Sequence, residues 1–180
     1  RISLDGNGAG VTVDSLPSLP CTIDNMGGAV LDHYLFIAGG NVNGVPSNTL
    51  YCLDLDHTDA GWIQMPGFPG APRTQPVCVA QRKGADSLLF LWGGFSGAGE
   101  GRPATLSVDG YCYSPAARTW TPVAVPAGED SVGISLGGGT GIAFGDSLIL
   151  CTGGVNKDIF LDALKREEKM KQALAEGNGP

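Results

Sequence analysis

At 180 residues, 42% hydrophobic and 16% charged, the chain has enough apolar residues to bury a core. Its formal net charge of −7 argues against a nucleic-acid partner, because neutralising phosphates takes clustered Lys and Arg. No apolar run approaches the roughly 20 residues needed for a membrane span.

The 29 Gly and 12 Pro punctuate apolar runs, which predicts many short strands with tight turns. Residues 1–20 close with "VTVDSLPSLP", a strand followed by a Pro-rich exit. Residues 21–71 hold a hairpin, "GGAVLDHYLFIAGG", that ends on Gly39-Gly40. A polar insert, a strand with Tyr51, a turn at "DHTDAG", Trp62 and a second exit, "MPGFPGAP", follow it. Residues 72–130 repeat the series: a hairpin into Gly93-Gly94, an insert, Tyr111, the turn "SPAART", Trp120 and "PVAVPAGED". Residues 131–180 open it a third time through "GIAFGDSLILCTGG" and then change. There "DIFLDALKREEKMKQALAE" spaces Ile159, Phe160, Ala163, Leu164, Met170, Ala173 and Leu174 as the apolar face of a helix. Asp158 is its expected N-cap and Gly177 its stop.

The three Gly-Gly pairs lie 54 and 60 residues apart. Four strands per unit at this period predict an all-β protein of β-propeller blades, and the signature resembles the kelch repeat. On this reading residues 1–20 supply the last strand of a preceding blade. Residues 21–71 and 72–130 are blades, and 131–180 are a partial blade carrying an inserted helix. The glycines end the second strand where backbones crowd. Each Trp packs between blades, burying on the order of 200 Å². Propellers close with about four to eight blades, so the remaining blades are expected from a longer protein or from another copy. The five cysteines form no C-x-x-C pair and read as small buried apolar residues rather than a disulfide framework.

Two segments are more specific than Gly-Gly. "FPGAPRTQ" (68–75) and "TGGVNKDIF" (152–160), the latter running into the helix, resemble the N-acetylneuraminate epimerases. These are sialic acid mutarotases built as six-bladed kelch propellers, and the blade-like segment ahead of the match points to their cyclically permuted branch. The resemblance implies interconversion of the α and β anomers of a sugar acid, N-acetylneuraminate. Such a reaction needs a base for the anomeric hydroxyl proton and an acid for the ring oxygen, and it benefits from a cation that holds the carboxylate. It implies no metal and no organic cofactor, and a bacterial periplasmic or cell-surface setting, with the cytoplasm left open. The alternative is a non-catalytic kelch module whose loops bind a protein or a glycan.

The loop entering the first strand of each blade opens toward the channel. Arg73, in that loop of the second blade, is the expected substrate-carboxylate and catalytic contact; a structural ion pair is its alternative. Gln75 is expected to point the same way. In the first blade Asp24, the acid-base candidate of its loop, and Asn25 line the same channel or form an Asx turn. Asn156 either contacts the sugar or caps the helix, and Lys157 stands beside it as a binding candidate. Asn41 and Asn43 read as turn formers. Glu100 and Arg102 lie in a Gly-rich insert that is either a lid or a solvated loop. His33 and His57 fall in turns distant from the channel and form no cluster for copper or zinc.

Overall fold

Each repeated segment folds into its own antiparallel sheet, because alternating apolar residues and intervening turns let adjacent strands pair locally. A computed structural model describes residues 1–99, 101–129 and 131–176. In the first blade, β4 (Gly27–Leu31), β5 (Tyr34–Ala38), β8 (Leu50–Asp54) and β9 (Trp62–Met65) pair in chain order. In the second, β10 (Val77–Lys83), β11 (Asp86–Trp92), β14 (Gly110–Ser114) and β15 (Thr119–Pro122) do the same. A third sheet holds β16 (Gly139–Phe144) and β17 (Leu148–Gly153), followed by helix α1 (Lys157–Ala175). Short strands decorate the blades: β3 (Ile23–Asp24), β6 (Asn41–Val42) and β7 (Val45–Pro46) on the first, β12 (Phe95–Ser96) and β13 (Thr105–Leu106) on the second. Residues 1–20, read as a single blade strand, hold a hairpin of β1 (Ile2–Leu4) and β2 (Val11–Val13).

The first strands β4, β10 and β16 lie side by side, which makes them the inner strands of a propeller. Glycines permit the contact. A Cβ on Gly27 would come within 2.8 Å of the Cys78 Cβ, and one on Gly141 within 2.6 Å of Val79. The main core fills the space between the first two blades with Leu31, Phe36, Leu50, Phe68, Leu89, Leu91 and Tyr113. Indole N–H groups tie each last strand to the exit before it. Trp62 donates to the Pro17 carbonyl at 2.9 Å and Trp120 to that of Pro66 at 2.7 Å. The third sheet packs one face on Val77 and Val79, leaving Ile142, Phe144, Leu148 and Leu150 more than half exposed on the other.

The Gly-Gly pairs have a common geometry. All six glycines take positive φ, which L side chains rarely adopt. The second member presses on the loop entering the inner strand: a Cβ on Gly40 would meet the Asp24 carbonyl at 2.5 Å, and one on Gly94 that of Thr74 at 2.9 Å.

All five cysteines are free thiols. Cys52, Cys78 and Cys112 are buried as expected, but Cys151 is exposed because it lies on the third sheet. Burial pushes the Cys78 thiol up to about 12, and burial followed by the nearby Asp54 charge pushes Cys52 up to about 11. Both therefore stay protonated and inert at neutral pH.

Candidate functional site

Register aligns the inner loops residue by residue. Gly27 pairs with Ala38, Val77 with Trp92 and Thr140 with Thr152, each partner immediately preceding a Gly-Gly pair. Two residues upstream stand Asn25, Gln75 and Gly138, all in the left-handed region with φ of 53°, 54° and 75°. Their backbones form a relay around the axis. The Gln75 N–H donates to the Asn25 carbonyl at 2.7 Å, and the Gly138 N–H to the Gln75 carbonyl at 3.0 Å.

Polar side chains gather on this relay. Asp24 Oδ1 accepts from the side-chain amides of Asn25 and Asn41, both at 2.7 Å. Gln75 Nε2 donates to Asn25 Oδ1 at 3.4 Å. Among the described residues Asp24 Oδ2 accepts no hydrogen bond, and Asp24, Asn25 and Gln75 are all exposed. The cluster thus offers one free carboxylate oxygen flanked by amides that donate and accept. Asn41, read as a turn former, belongs to it because β6 pairs Asn41 with Asp24. Asn43 does sit in a turn, with φ of 50°.

Arg73, expected either as a substrate-carboxylate contact or as a structural ion pair, is not in this cluster. The same register puts Arg73 at the position that Ile23 and Leu136 fill in the neighbouring blades, so its side chain points into the blade. It is fully buried. Its Nη1 and Nη2 pair with Asp109 at 2.5 and 3.0 Å, Nη1 also donates to the Gly93 carbonyl at 3.1 Å, and Nε donates to Ala71 at 2.8 Å. The guanidinium carbon lies 5.2 Å from the Phe68 ring centre. A guanidinium so occupied has no fork to offer a ligand, and its alternative reading, a structural ion pair, fits the geometry. Burial raises the Asp109 carboxyl, but hydrogen bonds from Arg73 and Tyr111 prevail and hold it below the ordinary carboxylate value.

Asn156 caps α1: its Oδ1 accepts from the backbone N–H groups of Asp158 and Ile159 at 3.1 Å each. The cap is therefore Asn156 and not Asp158, which lies in the first turn. Lys157 opens the helix with its side chain exposed. The helix leans on the insert of the second blade through an edge-to-face contact of Phe160 with Phe95 at 5.4 Å. A cleft of about 740 Å³ between them is lined by Arg102, Pro103, Leu161 and Leu164. Glu100 and Gly177 lie outside the described residues.

Antiparallel four-stranded sheets around one axis, with polar loops meeting at their Gly-Gly ends, define the chain as part of a kelch-type β-propeller. The chain belongs to the N-acetylneuraminate epimerase family, whose sequence profile matches residues 16–176. It is 29% identical over 164 residues to N-acetylneuraminate epimerase of Salmonella enteritidis PT4 (strain P125109), covering 87% of this chain and 39% of that protein. It is 31% identical over 146 residues to the protein of that name from Haemophilus influenzae (strain PittEE), covering 80% and 34%. The solved structure of YjhT superposes with a TM-score of 0.63 at 25% identity, covering 88% of this chain and 41% of that one. The chain thus spans about two fifths of the length of these proteins or less.

Proposed function

We propose that this chain forms part of a sialic acid mutarotase, with the Asp24, Asn25, Asn41 and Gln75 cluster in its sugar site. The observation that carries the reading is the free Asp24 Oδ2 on the inner relay, the other carboxylate oxygen, Oδ1, being held by two amides. Mutarotation balances without an oxidant or a metal. A base takes the anomeric hydroxyl proton, the ring carbon–oxygen bond breaks, and the ring oxygen gains a proton. Rotation about the bond to the carboxyl-bearing carbon and reclosure by the reverse steps give the other anomer. Asp24 acts as the base in this scheme, and the Asn25, Asn41 and Gln75 amides bind the sugar's hydroxyls and carboxylate. Arg73 serves the site at one remove, by fixing the loop that carries Gln75.

Further blades, from the same protein or another copy, pack on the exposed face of Ile142, Phe144, Leu148 and Leu150 and complete the channel. The family likeness supports a bacterial periplasmic or cell-surface setting, with the cytoplasm as the alternative; no described helix is long and apolar enough to cross a membrane.

Proton NMR of freshly dissolved α-N-acetylneuraminate with the complete protein tests the proposal. Anomer equilibration well above the buffer rate is expected, and a rate equal to buffer overturns it. One observation favours the second reading, a binding module without chemistry: no other carboxylate and no histidine hydrogen-bonds to this cluster among the described residues. Sugar binding without faster equilibration would select that reading.

A further inference from the structure

The two histidines stand far apart in sequence, yet folding brings them to one corner of the first blade. His33 occupies the turn between β4 and β5, and register sets Tyr34 opposite Asp54 at the end of β8. The backbone closes the corner, since the Leu55 N–H donates to the His33 carbonyl at 2.8 Å. One donor atom each from His33, Asp54 and Asp56 then lie within 4.8 Å of one another. His57 joins from the adjoining turn, its Nδ1 3.1 Å from Asp54 Oδ2.

Two ligands on one tetrahedral ion, with bonds of about 2.0–2.1 Å, sit about 3.4 Å apart. The His57–Asp54 pair is already near that spacing, and side-chain rotations at an exposed turn bring the others in. Imidazole donors select zinc-like transition ions over calcium and magnesium, which prefer an all-oxygen shell.

We propose that His33, Asp54, Asp56 and His57 form a divalent transition-metal site that staples the β4–β5 turn to the segment leaving β8. The site lies at the opposite end of these strands from Gly39-Gly40, so it is structural and independent of the sugar reading. Only strand pairing joins residue 33 to residues 54–57, so the sequence by itself shows no cluster at this corner.

Zinc and cobalt(II) titrated into the full chain test this by calorimetry, thermal melting and visible absorption. Expected are one ion per chain, a raised melting midpoint, and a cobalt spectrum of nitrogen and oxygen ligation without a thiolate charge-transfer band. Losing an outer-shell partner of a metal site costs about 10–100-fold in affinity, so H33A and D54N should each cost at least that. His33→Gln preserves the size of the turn residue and should weaken binding as H33A does, with an unchanged circular dichroism spectrum. Absence of binding heat, a thiolate band from Cys151, or undiminished affinity in these variants overturns the proposal.

Discussion

The Arg73 guanidinium and the Asp109 carboxylate meet fork to fork, at 2.5 and 3.0 Å, beneath the loop that carries Gln75. Meanwhile the Arg73 backbone reaches the first blade: its N–H donates to Ser47 and its carbonyl accepts from Gly40. One residue therefore locks the second blade's inner loop to both sheets.

Replacing Arg73 should unfold this junction rather than empty a binding site. Arg73→Ala leaves a void and an unpaired Asp109, a change worth about 3 kcal/mol or more in buried pairs, with Asp109's partial exposure favouring the low end. Arg73→Met, which approximates the apolar residues at the equivalent positions 23 and 136, should cost less and retain sugar affinity. Denaturant titration and sugar-binding calorimetry check both.

The same pair sets an acid limb. Asp109 has a folded pKa below its unfolded value of about 3.9, so its contribution is complete above that value and is lost as pH falls through the lower folded one. Asp109→Asn should lower stability at neutral pH and flatten its fall below about pH 4. Melting midpoints measured from pH 7 down to pH 2 show the sign.

Tyr113 is fully buried against Phe36 and Trp120, and its hydroxyl has no hydrogen-bond partner among the described residues. A buried orphan hydroxyl costs about 1–3 kcal/mol, so Tyr113→Phe should match or exceed the natural protein in stability. A midpoint lowered by several degrees would mean the hydroxyl has a partner after all.

Asp24 is exposed, so Asp24→Asn should leave folding intact. If Asp24 is the base, the anomer exchange rate of the complete protein falls by about 10²–10⁴. NMR line-shape or saturation-transfer analysis reads this directly.

Asn156→Ala removes the α1 cap, at a cost of about 1 kcal/mol of helix stability. Circular dichroism near 222 nm should show lost helix while the strand signal persists.

Local patterns were enough for the blades. Tyr34–Ala38, Leu88–Trp92 and Leu148–Thr152 advertise strands because strand pairing between neighbours in sequence needs only alternation and turns, and the Gly-Gly repeat marks where they stop. The helix from Lys157 was equally legible from its 3.6-residue period, although its capping residue shifted by two positions. The inner loops were not. Arg73 and Gln75 share a face in an ideal strand, but the left-handed turn at Gln75 sends the Arg73 side chain into the core and leaves that of Gln75 exposed. Aligning Ile23, Arg73 and Leu136 by their distance to the Gly-Gly partner would have shown an apolar slot.

The order of residues alone settled which segments pair, since hydrophobic alternation and glycine placement act over a dozen residues. Tertiary structure decided what each polar group does: whether Arg73 meets Asp109 or a ligand, whether Asn41 joins Asp24, whether His33 reaches Asp54. Those outcomes depend on contacts between segments tens of residues apart, where burial and the demand for hydrogen-bond partners override the local preference of any single side chain.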